Sequence, residues 1–391
     1  MTWENKKVED LRYELLEAYI EGESMTKLSN EYGISRKTAY KWYERYLEEG
    51  KEGLINRTRA PKVAYTIYSN KTLEKALELK CKYPRWGPKK IHALLQRKYP
   101  QEKWPSVSRL HQLFKTNGLV RPRRLRRRVP ATHPLGEVTN SNESWIADFK
   151  GWQLQKNGDK SEPLTLSDGH TRYLIKCKHL IRKTEEHVWN IYMEAFREYG
   201  LPLRLRTDNG PPFGSTGAGR LTKLGVKLIK VGITPEWIEP GHPEENGRHE
   251  RMHRTLKEEI GITKSLRDYQ KKLREFQERY NYERPHEALK MKSPGEVYTR
   301  SPRERNGRLK SPEYPENLKV RKVGRSGSIW LKGKEYYIGG MLEGEPVGLK
   351  EIDNEIYEVN YGPILLGKIT QKRFIKPQRK RKNSGKSNPC V

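Results

Sequence analysis

The sequence predicts a multidomain chain: an all-α N-terminal region of two helix-turn-helix units, a central α+β region, and a small β-barrel near the C-terminus. Three observations carry this. Up to about residue 120, apolar residues recur at helical spacing between serine starts and glycine stops. From about residue 140 the pattern turns to strands and then alternates with helices. Beyond residue 317, short strand-like runs are punctuated by glycine turns.

In the first unit (1–53), Leu11, Leu15, Leu16 and Tyr19 form one apolar stripe. Met25, Leu28 and Tyr32 mark a second helix, which Gly33 breaks. Ser35 caps a third, "SRKTAYKWYERYLEEG". A short helix, a glycine turn and a helix opening with Arg36, Lys37 and Lys41 suit entry into a DNA major groove. A second unit (63–120) repeats the logic with "NKTLEKALELKCKYP", "WGPKKIHALLQRKYP" and "PSVSRLHQLFKTNGL". A basic linker (121–135) follows, with Arg121, Arg123, Arg124, Arg126, Arg127 and Arg128 as candidate phosphate contacts.

The central region (136–300) opens with three sequential strands, "SWIADFKGWQL", "EPLTLS" and "TRYLIKCKHL", with hairpin signals at Asn157-Gly158 and Asp168-Gly169. A helix over 184–200, a fourth strand in "LPLRLRTDNG", a short helix near "RLTKLG" and a fifth strand, "VKLIKVG", come next, then the helix that contains Glu250. Residues 302–317 read as a linker, 318–371 as the barrel and 372–391 as a basic disordered tail.

Composition narrows the function. The 391 residues carry 79 Lys+Arg against 49 Asp+Glu, a net charge of +30, which calls for a polyanionic partner, with double-stranded DNA foremost. The three cysteines, Cys81, Cys177 and Cys390, are far apart and make neither a disulfide framework nor a C-x-x-C metal knuckle, which fits a reducing cytoplasm. No run of about 18 apolar residues occurs, so no membrane span is expected.

Three carboxylates stand out. Asp148 sits mid-strand, where a charge among apolar neighbours needs a cation or hydrogen bonds. Asp208 lies just past a strand end in "RTDNGPPF". Glu250 is on a helix whose core stripe is Met252, Leu256 and Ile260; at about 100° per residue it points about 160° away from Met252, sharing its face with Arg254 and Lys257. Asp168 is better explained by its turn, and Glu244 and Glu245 by a helix's first turn. Glu250 also falls within a formal H-E-x-x-H, His249-Glu250-Arg251-Met252-His253, the pattern of a zinc metalloprotease.

A mid-strand Asp148, then "TDNGPPF", then P-x-x-N-G-x-x-E-R-x-x-x-T-L-K from Pro243 to Lys257 resembles the DDE transposase and integrase superfamily, in particular bacterial insertion-sequence transposases with a retroviral-integrase-like core. The resemblance covers roughly residues 130–300 and implies an RNase H-like fold. It implies Asp148, Asp208 and Glu250 as catalytic and metal-binding residues, with Arg251, Arg254 and Lys257 holding DNA phosphates. The 41 residues between Asp208 and Glu250 exceed integrase-type spacing, and the extra length is expected in the "GSTGAG" loop.

Three carboxylates suit Mg²⁺ or Mn²⁺, two ions about 4 Å apart serving in-line displacement at phosphorus. The implied function is a transposase that binds element ends, hydrolyses a phosphodiester there and joins the 3′-hydroxyl to target DNA, acting at least as a dimer. A DNA-binding regulator, or a nuclease without strand transfer, is the alternative. A zinc peptidase needs a third ligand and gives no reason for the basic, DNA-reading N-terminal half; without zinc, His249 and His253 are expected as surface or DNA-facing side chains.

Overall fold

A computed structural model describes residues 7–57, 68–120, 138–239, 247–305 and 307–377. The basic linker arginines, Glu244 to Asn246 and most of the C-terminal tail therefore lie outside the described residues. The chain divides into two compact units, 1–67 and 68–391.

The first unit holds α1 (Val8–Ile20), α2 (Met25–Glu31) and α3 (Arg36–Glu49). The Ser35 hydroxyl accepts from the Thr38 N–H at 3.1 Å and starts α3, while Gly33 turns the chain with φ +64°. Leu15, Leu16, Met25, Leu28, Ala39, Trp42 and Leu54 form its core. The Arg12 guanidinium lies 3.6 Å from the Trp42 ring centre. Arg36, Lys37 and Lys41 stay exposed on α3.

The second unit opens with α4 (Asn70–Lys82), α5 (Pro88–Lys98) and α6 (Val107–Thr116), packed around Trp86, Ile91, Leu95, Leu110 and Phe114. This helical module is docked on the core. Arg97 pairs with Glu296 at 2.9 Å and donates to the Met291 carbonyl, and the Tyr83 hydroxyl donates to Glu283.

The core sheet contains β1 (Ser144–Phe149), β2 (Gln153–Leu154), β3 (Lys160–Asp168), β4 (Leu174–Leu180), β5 (Arg204–Thr207) and β6 (Thr234–Trp237). β3 pairs antiparallel with β1, β2 and β4; β5 runs parallel to β1, and β6 parallel to β5. Alternation along β1 sends Trp145 and Ala147 to one face, where α7 (Glu185–Tyr199) buries Val188, Ile191, Tyr192, Ala195 and Phe196. Met252, Leu256 and Ile260 of α9 (Gly247–Ile260) pack with Tyr269, Leu273 and Phe276 of α10 (Leu266–Glu278) and with Leu174 and Cys177 of β4.

The fifth strand is not where the sequence pattern suggested. "VKLIK" lies in a helix, α8 (Lys223–Lys230), because Leu224, Leu228 and Ile229 recur at helical spacing and the Thr222 hydroxyl caps it by accepting from Gly225 N–H at 3.2 Å. The strand is β6, "TPEW", whose proline disguised it; at the end of the strand order a missing N–H is tolerated.

The C-terminal part contains β7 (Lys319–Lys322), β8 (Ser328–Leu331), β9 (Lys334–Tyr337), β10 (Pro346–Asp353), β11 (Ile356–Tyr361), β12 (Ile364–Ile369) and β13 (Phe374–Ile375). They form a five-stranded sheet, β13-β12-β11-β10-β7, and a β8-β9 ribbon. Among the described residues no pairing closes this sheet into the expected barrel. β13 pairs with β12 and carries the sheet into the stretch expected as a tail. The C-terminal core of Val347, Val359, Tyr361 and Leu366 is continuous with Ala218, Leu221, Val226 and Ile229. Ala218 belongs to the "GSTGAG" loop, so that insertion is a docking surface for the C-terminal sheet. No helix among the described residues is long and apolar enough to cross a membrane.

Candidate active site

The parallel pairing of β1 with β5 brings the strands that lead to the two aspartates side by side. Ser144 faces Arg204, Trp145 faces Leu205 and Ile146 faces Arg206. The recorded pairing ends there; β1 runs on to Asp148 and Phe149, and β5 ends at Thr207, directly before Asp208. Asp208 follows the last residue of β5 and accepts from the Gly210 N–H at 3.2 Å. Burial raises its carboxyl pKa, against the opposing pull of that N–H and of Lys183.

Asp148 is paired across β3 with Thr165, and the Thr165 hydroxyl makes three contacts. It lies 3.1 Å from the Asp148 carbonyl, 2.7 Å from His249 Nε2 and 2.6 Å from His253 Nε2. A hydroxyl has one proton to give, and a carbonyl can only accept. The proton therefore goes to Asp148, and both imidazoles donate Nε2–H to the oxygen. His249 Nδ1, left bare, accepts from Ser167 Oγ at 3.0 Å.

His253 Nδ1 is bare as well and lies 3.9 Å from Asp148 Oδ2. The pair is not a salt bridge, because burial, aided by Lys150, pushes the His253 pKa down to about 3. Burial holds His249 well below its ordinary value too. A neutral nitrogen lone pair beside a carboxylate is an electron-rich site that favours a cation.

The expectation that His249 and His253 are surface or DNA-facing is corrected: both are buried. The wheel geometry contained the signal. At about 100° per residue they fall within about 60° of the centre of the Met252–Leu256–Ile260 stripe. Asp148, His249 and His253 offer one ligand atom each within 4.8 Å of one another, which supplies the third ligand a zinc site would need. Three of the four imidazole nitrogens are already engaged by Thr165 and Ser167, however, leaving only His253 Nδ1 open.

Glu250 is exposed in the first turn of α9. It lies about 60° around the helix from His253 and about 20° from Lys257, so it belongs to the flank that borders Asp148. Lys257 is near enough to Lys150 to help burial lower the Lys150 pKa. Arg251 and Arg254 line a cavity together with Lys90 and Arg172, two residues that sequence reading did not single out.

Comparison with known proteins agrees with this layout. Residues 138–243 and 231–294 each match an integrase core domain, residues 11–62 a helix-turn-helix domain, and residues 38–114 a homeodomain-like domain. The chain is 27% identical over 230 residues to the insertion element IS407 uncharacterized 31.7 kDa protein of Burkholderia multivorans, covering 56% of this chain and 78% of that protein. It is 25% identical to the insertion element IS476 uncharacterized 39.2 kDa protein of Xanthomonas euvesicatoria, covering 54% of this chain and 60% of that one. It is 23% identical to the transposase for transposon Tn552 of Staphylococcus aureus, covering 63% of this chain and 54% of that one. An integrase core behind helix-turn-helix domains defines a DNA-acting polynucleotidyl transferase. The chain carries an integrase core domain and is similar to transposases and insertion-element proteins.

Proposed function

We propose that Asp148, Asp208 and Glu250 are the catalytic carboxylates of a transposase that cuts its element's ends and joins them to target DNA. The observation that supports this reading is the parallel pairing of β1 with β5 in an integrase core, with Asp148 late in β1, Asp208 directly after β5 and Glu250 in the first turn of α9. Among the described residues Asp208 makes no ion pair. Hard oxygen donors of this kind fit Mg²⁺ or Mn²⁺, two ions per site in this reading, with His253 Nδ1 beside Asp148 adding to the negative potential. When bound, the metal supplies activation of the attacking oxygen and charge stabilisation of the leaving one.

The chain's own residues do the positioning. Thr165 and the two histidines pin α9 to β3, which fixes where Glu250 stands relative to Asp148. Lys150 and Lys257 border that flank as counter-charges for DNA phosphates. In the first step a water oxygen attacks phosphorus and the P–O3′ bond breaks, leaving a 3′-hydroxyl and a 5′-phosphate. In the second, that hydroxyl attacks a target phosphodiester and displaces another 3′-oxygen, so bond count is conserved and no co-reactant is needed. Arg36, Lys37 and Lys41 on α3 read the end in the major groove, and joining two ends requires at least a dimer. The domain limits and the barrel-like nature of residues 318–371 belong to the same reading; the shared core of β8, β9, β10 and β11 supports the latter.

The test is incubation of the full chain with duplexes of the flanking element ends and Mg²⁺, with products mapped to the nucleotide. Asp148→Asn, Asp208→Asn and Glu250→Gln should each abolish cleavage while end binding stays near wild type. Cleavage surviving in all three variants refutes the assignment. Cutting without joined products would identify a nuclease instead.

A further inference from the structure

Beside α9 lies a cavity of about 220 Å³. Its wall includes Lys90 of α5, Arg172 of the β3–β4 turn, Arg248, Arg251 and Arg254 of α9, and Arg284. Arg284 is paired with Glu259 at 2.7 Å. Among the described residues the other five cations form no ion pair. Asp168 is the carboxylate of the wall, but its oxygens are taken by the Asn142 N–H, the Thr171 N–H and the Thr171 hydroxyl, each at 2.7 Å.

These like charges crowd one another. Burial, and then Arg284, pushes Lys90 down to about 8. Burial lowers Arg172, against an opposing pull from Tyr280, and Arg248 and Arg251 add smaller lowering contributions. Arg172 also holds a left-handed φ of +65°, unfavourable for a side chain of its size. A second, independent observation concerns His286 in the same wall. It is 7% exposed, and its Nε2 is buried with no hydrogen-bond partner. Arg248 also donates to the Gly169 carbonyl at 3.1 Å. A wall that gathers cations with no ion pair among the described residues, together with an unsatisfied imidazole, is arranged for an anion that it binds.

We propose that this cavity grips one phosphate of the DNA backbone, clamping the strand between the second helical module and the catalytic helix. The proposal rests on the transposase reading. The cavity is smaller than the roughly 300–1,000 Å³ of sites that enclose a whole small ligand, so it suits a single charged group. Guanidinium forks present paired N–H donors to the non-bridging oxygens of a phosphodiester. DNA is favoured over a free anion by location. Ile146 in the wall lies on the same face of β1 as Asp148, about 7 Å along the strand, so a phosphate here belongs to the strand that reaches the acids.

The test measures binding of a fluorescently labelled duplex of arbitrary sequence to the full chain, in chelator, across a salt series. Lys90→Gln with Arg172→Gln should weaken binding and lower the log K against log[salt] slope by about 1. The thermal midpoint of the free protein should hold or rise, because mutual repulsion is removed; a merely structural pair of residues would lower it. If that double variant unfolds, Arg251→Gln on the exposed face of α9 is read in its place. An unchanged salt slope overturns the proposal. So does inorganic phosphate raising the wild-type midpoint with the DNA slope unaltered, which would mark a free-anion site. Because chelator removes cleavage, this outcome is independent of the cleavage assay that tests the transposase reading.

Discussion

Replacing Thr165 by valine keeps the shape of the side chain and deletes only the hydroxyl that joins β1, β3 and α9. Three hydrogen bonds disappear, and two buried imidazoles are left holding Nε2–H donors with nothing to receive them. Each unsatisfied buried donor costs about 1–3 kcal/mol, so Thr165→Val, which strands two, should lose roughly 2–6 kcal/mol. Thr165→Ser, which restores the oxygen and drops one methyl, should recover most of that loss. The assay is urea unfolding of the full chain, with hydrogen exchange of the α9 amides identifying where stability went. Long-range nitrogen–proton NMR of the imidazoles supplies the second readout, with both rings in the Nε2–H form in wild type. A Thr165→Val loss below about 1 kcal/mol, or either ring carrying its proton on Nδ1, would refute the hydrogen-bond accounting.

His286 makes the fold acid-sensitive. Its folded pKa of about 3 lies below its ordinary 6.5, so its contribution is intact above pH 6.5 and declines as pH falls towards 3, by up to roughly 5 kcal/mol. His286→Gln should flatten that part of a stability–pH profile measured by denaturant unfolding. Purified protein should carry no stoichiometric zinc, and His249→Ala should lower the melting temperature without altering metal content by elemental analysis. Gly219→Val should destabilise the C-terminal sheet by roughly 2–3 kcal/mol, because φ there is +58° and a Cβ would meet Ile364 at 2.8 Å; limited proteolysis reads the loosening.

The helical modules were legible because their signals are local: Ser35, Ser69 and Ser106 each accept from the N–H three residues on, and apolar residues fall at helical spacing. The first four core strands were legible from alternation and turn chemistry. α8 and β6 were misread because a short apolar run does not distinguish strand from helix, while the true strand contains Pro235. Asp148 and Asp208 could be picked out as acids out of place, but the parallel pairing of β1 with β5 that brings their strands side by side spans 60 residues of chain and is encoded in no local pattern. Of the cavity cations, Arg251 and Arg254 were named from the sequence, but the others were invisible for the same reason. Lys90, Arg172 and Arg248 are unremarkable in sequence, and only the docking of α5 against the core and α9 gathers them.

The long interval between Asp208 and Glu250 gains a meaning from what leans on it. Ile364 and Leu366 of β12 approach Gly219, Met341 approaches Gly217, and Lys230 bonds to Glu345. Arg220, in the same stretch, reaches back to Asn209, the neighbour of Asp208. The C-terminal sheet is therefore not an appendage that could be trimmed away at no loss. It buttresses the segment that carries the second aspartate, and damage to a strand near residue 365 would be felt at a carboxylate more than 150 positions earlier.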